Sequence, residues 1–75
     1  MKPAIGPSAR PGRLVLERLN SVKSRTGLSR SQVYRLVAAQ SFPAPVKLGE
    51  RSSAWNAAEV DLWIRSRIAL RDSKG

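Results

Sequence analysis

Apolar residues recur at helical spacing in two places along this chain and at strand spacing in a third. Val33, Leu36 and Val37 fall at i, i+3 and i+4, the stripe of a helix with one buried face. Ser29 stands before this stripe and Gln32 three residues later. This is the pattern of a capping box, in which the serine hydroxyl accepts the Gln32 backbone N–H and the glutamine reaches back. The predicted helix runs from Arg30 to about Ala39. Val60, Trp63, Ile64 and Ile68 mark a second helix, from Ala57 to about Arg71. Asn56 is placed to cap it and Glu59 lies in its first turn, while Arg65, Arg67 and Arg71 lie towards its negative end. Val46-Lys47-Leu48 alternates as a strand does. Gly49-Glu50-Arg51 reads as a tight turn with the glycine a hairpin favours, and Ser52-Ser53-Ala54-Trp55 as the returning strand.

The remaining segments are shorter. Asn20 or Ser21 reads as the cap of a first helix from about Ser21 to Arg25, buried through Val22 and ended by Gly27, with Leu19 and Leu28 facing inward. Arg13-Leu14-Val15-Leu16-Glu17 is a strand or an extended lead-in packed on the core. Phe42-Pro43-Ala44-Pro45 ends the helix before it, because proline lacks the backbone donor and restricts its predecessor. Residues 1–12 carry Pro3, Pro7, Pro11, Gly6 and Gly12 without periodicity and read as a flexible arm. The expected organisation is therefore an arm over 1–12, one domain over 13–72 and a short tail over 73–75. The fold class is mainly α with a small β-hairpin, a winged helix-turn-helix.

Composition narrows the chemistry. Seventy-five residues without cysteine or histidine offer no disulfide, no thiolate metal site and none of the usual general base. Glu17, Glu50, Glu59, Asp61 and Asp72 are scattered, and no glycine-rich phosphate cradle is present, so the reading is a non-enzyme with no cofactor and no metal. No apolar run reaches the roughly 20 residues of a membrane helix, and the start of the chain lacks the apolar stretch of a secretory signal. A cytoplasmic protein without a membrane partner is expected.

The formal net charge is +9 and the sequence pI about 11.7. Residues 1–45 hold eight Lys or Arg and one acid, against six and four over 46–75. A basic surface of this kind raises the local concentration of a polyanion, and double-stranded DNA is the expected partner. In a helix-turn-helix the second helix enters the major groove with its N-terminal residues towards base edges. The candidates on that helix are Ser29, Arg30, Ser31, Gln32, Tyr34 and Arg35. Arginine pairs bidentately with guanine. Ser29 is a cap first, and Tyr34 either contacts DNA or closes the rim of the core. On the wing, Lys47, Gly49, Arg51 and Ser52 grip phosphate or a minor groove, or serve as a charged hairpin guarding its own edges. Lys2, Arg10 and Arg13 are possible contacts from the arm. Trp55 and Trp63 are read as core rather than as stacking platforms for single strands.

Three runs in particular are shared with a known family. Thr26-Gly27-Leu28-Ser29-Arg30-Ser31, Val33-Tyr34-Arg35-Leu36 and Phe42-Pro43-Ala44-Pro45-Val46-Lys47-Leu48-Gly49 are followed by Arg51, Ala54-Trp55, Glu59-Val60 and Trp63-Ile64. In this order they resemble the AlpA-type phage regulators, which group with small excisionases in the MerR-like winged-helix superfamily. Gln40-Ser41 stands where many relatives have a charged residue and glycine, and Asn56 replaces a frequent arginine. The resemblance implies a helix from Arg30 in the major groove and a hairpin around Gly49 in a minor groove. It implies the biology of a prophage or integrative element, on the nucleoid of a bacterial cell. Two roles follow from it. One is a recombination directionality factor that binds cooperatively beside copies of itself, bends attachment-site DNA and assists a tyrosine recombinase (integrase). The other is a transcriptional regulator of integrase or excisionase genes. The rival readings are a phage adaptor or inhibitor that uses the fold without DNA and a nonspecific binder of RNA or DNA.

Overall fold

The N-terminal part of the domain is decided by a pairing between residues far apart in sequence. The computed structural model describes residues 14–74, so the proposed arm and Lys2, Arg10 and Arg13 lie outside the described residues. The elements follow in the order β1 (Leu16–Glu17), α1 (Leu19–Thr26), α2 (Arg30–Ala38), β2 (Val46–Gly49), β3 (Ser52–Asn56) and α3 (Ala57–Lys74). The sheet is antiparallel with β3 in the middle, in the order β1-β3-β2. Leu16 pairs with Asn56 and Glu17 with Trp55. On the other side Val46 pairs with Ala54 and Lys47 with Ser53. The wing is thus three-stranded, one strand more than a hairpin. Leu16 joins the sheet edge and Val15 O accepts from Ala57 N–H, and Leu14, Val15 and Leu16 stay largely exposed rather than packing on the core.

This pairing also resets the start of α1. Because β1 ends at Glu17, the helix begins at once: Val22 N–H donates to Arg18 O at 3.1 Å. Arg18 is the N-cap residue, without a side-chain cap. Asn20 and Ser21 therefore lie inside the helix and do not cap it. Ser21 Oγ instead donates to Glu17 Oε1 at 2.6 Å. The other end matches expectation. Gly27 has φ 77° and its N–H donates to Lys23 O at 2.8 Å, the left-handed cap that glycine takes without a Cβ penalty.

Helix α2 carries the capping box. Gln32 N–H donates to Ser29 Oγ at 3.2 Å, and Ser29 N–H donates to Gln32 Oε1 at 2.9 Å. Its far end closes in a Schellman arrangement, with Ser41 N–H donating to Leu36 O (2.8 Å) and Gln40 N–H to Val37 O (3.0 Å). This puts Gln40 at φ 61°, a conformation that costs an L-residue with a Cβ roughly 1–2 kcal/mol. Gln40→Gly relieves that strain and gives part of it back as entropy of the unfolded chain. The expected gain is about 0.5–1 kcal/mol, seen as a rise of a few degrees in Tm by circular dichroism; an unchanged or lower Tm refutes it.

Between β2 and β3 the loop residues are Glu50 and Arg51. Positive φ among the described residues occurs only at Gly27 and Gln40. Gly49 therefore ends β2 in an ordinary conformation and does not make the turn. The register shifts between Lys47 and Gly49, leaving Leu48 without a partner in β3, as in a β-bulge.

Val22, Val33, Phe42, Trp55 and Val60 form the buried core, with Leu19, Leu28, Leu36, Val37, Trp63 and Ile64 packed around them. Both tryptophans anchor the proline-rich connection: Trp55 Nε1 donates to Pro43 O at 2.8 Å and Trp63 Nε1 to Ser41 O at 2.7 Å. Phe42 meets Trp63 edge to face at 4.8 Å. Asn56 caps α3 as expected, its Oδ1 accepting from Ala58 N–H at 2.9 Å. The α3 stripe outruns the body that receives it, however. Ile68 is 47% exposed, and the helix continues past Arg71 to Lys74. These three helices and the small antiparallel sheet make a winged helix-turn-helix.

Candidate nucleic-acid interface

The capping box fixes what α2 can offer. Val33, Leu36 and Val37 turn inward, so the ridge opposite them carries Ser31, Arg35 and Ala38, all exposed. Gln32 spends its amide oxygen on the box, which leaves Ser31 and Arg35 as the freest polar side chains on that ridge. Ser31 Oγ lies 3.4 Å from Ser29 Oγ, so the two hydroxyls share the start of the helix.

Arg30 and Tyr34 stand beside this ridge. The Arg30 guanidinium carbon is 5.5 Å from the centroid of the Tyr34 ring, a cation–π contact. Tyr34 in turn meets the fully buried Trp55 edge to face at 6.0 Å. Of the two readings the sequence left open for Tyr34, the structure shows the packing one. Its ring closes the rim of the core, and 39% of the residue stays exposed.

Between the starts of α1 and α2 and the wing lies a cleft of about 380 Å³, lined by Arg18, Leu19, Asn20, Arg30, Tyr34, Arg51, Ser53 and Trp55. Three arginines line it and no carboxylate does. It brings together three of the expected residues, Arg30, Tyr34 and Arg51. Ser29, Ser31, Gln32, Arg35, Lys47, Gly49 and Ser52 lie outside it. On the wing, Lys47 is exposed, its Nζ 3.5 Å from Glu50 O. Sequence reasoning missed Arg18, Asn20 and Ser53. Arg18 reaches the cleft because Glu17 pairs with Trp55, and no local pattern around Arg18 announces that pairing.

The ion pairs of the described residues lie outside the cleft. Arg25 Nη1 pairs with Asp61 Oδ1 at 2.6 Å, and Arg25 pairs with Glu17 through both Nε and Nη2. The Arg25 hydrogen bond holds the Glu17 carboxyl below the usual carboxylate range, against the upward pull of its own burial. The two carboxylates raise the pKa of Arg25. Arg71 pairs with Asp72. Among the described residues, Arg18, Arg30, Arg35, Lys47 and Arg51 take part in no ion pair. Also among the described residues, no three potential metal ligands cluster, and no helix is long and apolar enough to cross a membrane.

The family model described as prophage CP4-57 regulatory protein (AlpA) matches residues 13–68. The chain belongs to the AlpA family. The match runs from the approach to β1 into α3 and includes every residue that lines the cleft. An uncharacterized protein of Enterobacteria phage P4, ORF88, is 43% identical over 54 residues. That alignment covers 72% of this chain and 61% of the relative, so the chain spans about three-fifths of the relative's length.

Proposed function

We propose that this AlpA-family chain is a sequence-specific double-stranded DNA-binding protein of a prophage or integrative element. It does no chemistry of its own and needs no cofactor. One observation carries the reading: a capped helix with a free polar ridge stands next to a wing, and the unpaired arginines of both lie on or beside one cleft. In this reading Ser31 and Arg35 face base edges in the major groove, with Ser29 at the helix start. Lys47, Arg51 and Ser52 meet the neighbouring minor groove or its phosphates, and Gly49 lets the β2 backbone approach closely. Phosphate contacts set register, while base contacts set sequence.

Two finer roles use this module. The family's description as a regulatory protein supports control of integrase or excisionase genes. The shortness of the interface supports a directionality factor. Helix α2 has nine residues, about 13 Å at 1.5 Å per residue, and specific sites demand more surface than one such module offers. Several copies side by side, bending attachment-site DNA for a tyrosine recombinase, meet that demand.

Gel-shift titrations on the element's attachment site, its integrase promoter and a random duplex separate these roles. Stepwise cooperative complexes on the attachment site mark the directionality factor, and preference for the promoter alone marks the regulator. Arg35→Ala is expected to weaken cognate binding by about 10- to 100-fold, the value of one bidentate base contact, while changing random-duplex binding far less. Equal loss on both demotes Arg35 to a phosphate contact. Salt-insensitive, weak binding to every duplex overturns the proposal in favour of an adaptor.

A further inference from the structure

We infer that the cleft between α1, α2 and the wing seats the sugar–phosphate strand that divides the two grooves, and that Arg18 is a backbone anchor there together with Arg51. The inference deepens the DNA-binding reading and rests on it. A duplex has one backbone strand between each major groove and the minor groove beside it. A protein that sets a helix in one groove and a hairpin in the next must straddle that strand. The space between helix and hairpin is where the strand passes. In this chain that space is the cleft of about 380 Å³.

Its walls suit a polyanion. Arg18 comes from the start of α1, Arg30 from the start of α2 and Arg51 from the wing loop, so three elements each contribute a guanidinium. A guanidinium presents a planar fork of donors that matches phosphate oxygens two at a time. Asn20 and Ser53 add neutral hydrogen-bonding groups. No carboxylate lines the cleft to compete: Glu17, next to Arg18, is taken by Arg25, and Glu50, next to Arg51, is not among the lining residues. Arg30 is held over the Tyr34 ring, whereas Arg18 and Arg51 make no side-chain hydrogen bond or ion pair among the described residues. These two are the cations free to close on the strand.

The test is the salt dependence of binding, measured with the full chain on two short duplexes, one carrying the preferred site and one of mixed sequence. Each phosphate contact contributes about 0.9 to the slope of log K against log salt on B-form DNA. Arg18→Gln and Arg51→Gln are each expected to lower that slope by about 0.9, equally on both duplexes, with the preference between the duplexes retained. Arg65→Gln, which removes an exposed charge on α3 far from the cleft in sequence, controls for net charge and is expected to leave the slope unchanged. Circular dichroism checks that each variant folds; Arg18 is exposed and donates no side-chain hydrogen bond, so its substitution spares the fold.

A wild-type slope for Arg18→Gln, or an equal drop for Arg65→Gln, overturns the inference and leaves the groove-reading role of α2 intact. A wild-type chain that binds both duplexes alike refutes the sequence-specific reading, while the change of slope still decides the cleft. Binding of a polyglutamate peptide in preference to either duplex, lost in Arg18→Gln, overturns the inference and assigns the cleft to an acidic protein segment.

Discussion

Trp55→Ala is expected to leave the domain largely unfolded near room temperature. Trp55 is fully buried and touches each part of the fold: it pairs with β1 through Glu17, supports Tyr34 of α2, packs on Val22 and Val60, and holds the proline-rich connection through Pro43 O. Replacing a buried tryptophan by alanine costs about 3–5 kcal/mol. A core of this size rarely supplies more than about 3–5 kcal/mol of net stability, so the loss equals the whole. The measurement is a urea or thermal titration followed by far-ultraviolet circular dichroism. A cooperative transition within a few degrees of the wild type sinks the claim. Trp55→Phe separates two contributions. It keeps most of the apolar bulk and leaves the Pro43 carbonyl without its donor, at a cost of about 1–3 kcal/mol.

Arg25→Met is expected to be the next most damaging change, and its effect depends on pH. Arg25 is the shared partner of Glu17 and Asp61, and the Glu17 side chain is only 9% exposed. Without Arg25, that carboxylate keeps only the Ser21 hydroxyl. Exposed ion pairs are worth about 0–1 kcal/mol, and breaking a buried one costs about 3–5. Arg25 and Asp61 are partly solvated, at 35% and 53% side-chain exposure, so about 2 kcal/mol is expected at neutral pH, between those limits.

The sign with pH follows from the direction of the Glu17 shift. In the wild type its folded pKa is depressed below the ordinary value of 4.5. The stability this gives is complete above that value and drains away as pH falls through the depressed one. In Arg25→Met the same carboxyl is nearly buried and lacks its cation, so its folded pKa rises and protonation stabilises the variant. The two stability curves therefore converge on acidification. Urea titrations at about pH 7 and about pH 3 check this; a constant gap refutes the assignment of the effect to Glu17, as does an unchanged cost in a Glu17→Gln background.

Features encoded within a few residues were legible in the sequence. The Ser29–Gln32 box, the left-handed Gly27, the Asn56 cap and the Val33–Leu36–Val37 stripe each depend on neighbours at most four positions apart, and each is found in the structure. The family likeness carried by Phe42 to Gly49 with Ala54-Trp55 was legible too. Features that depend on distant partners were not. Pairing of Leu16 with Asn56 adds a strand to the wing, moves the N-cap of α1 to Arg18 and carries Arg18 into the cleft. A two-residue strand has too short a pattern to declare itself. The apolar period of α3 is matched by packing as far as Ile64 and not at Ile68, because periodicity says which face is apolar, not whether a neighbour is there to cover it. Gly49 differs from expectation because it ends β2 without positive φ and the turn falls on Glu50 and Arg51.

The pairing of Arg25 with Glu17 and Asp61 also has a kinetic meaning. Two of the domain's few negative charges are locked against a cation, while the cations of α2, the wing and Arg18 remain uncompensated. With a formal net charge of +9, the molecule draws a polyanion arriving by diffusion before any contact forms. Capture should accordingly be fast and slow steeply as salt rises, whereas escape, governed by short-range contacts, should respond much less. Removing Arg25 takes one positive charge from the molecule and would slow that capture without altering a single residue of the cleft.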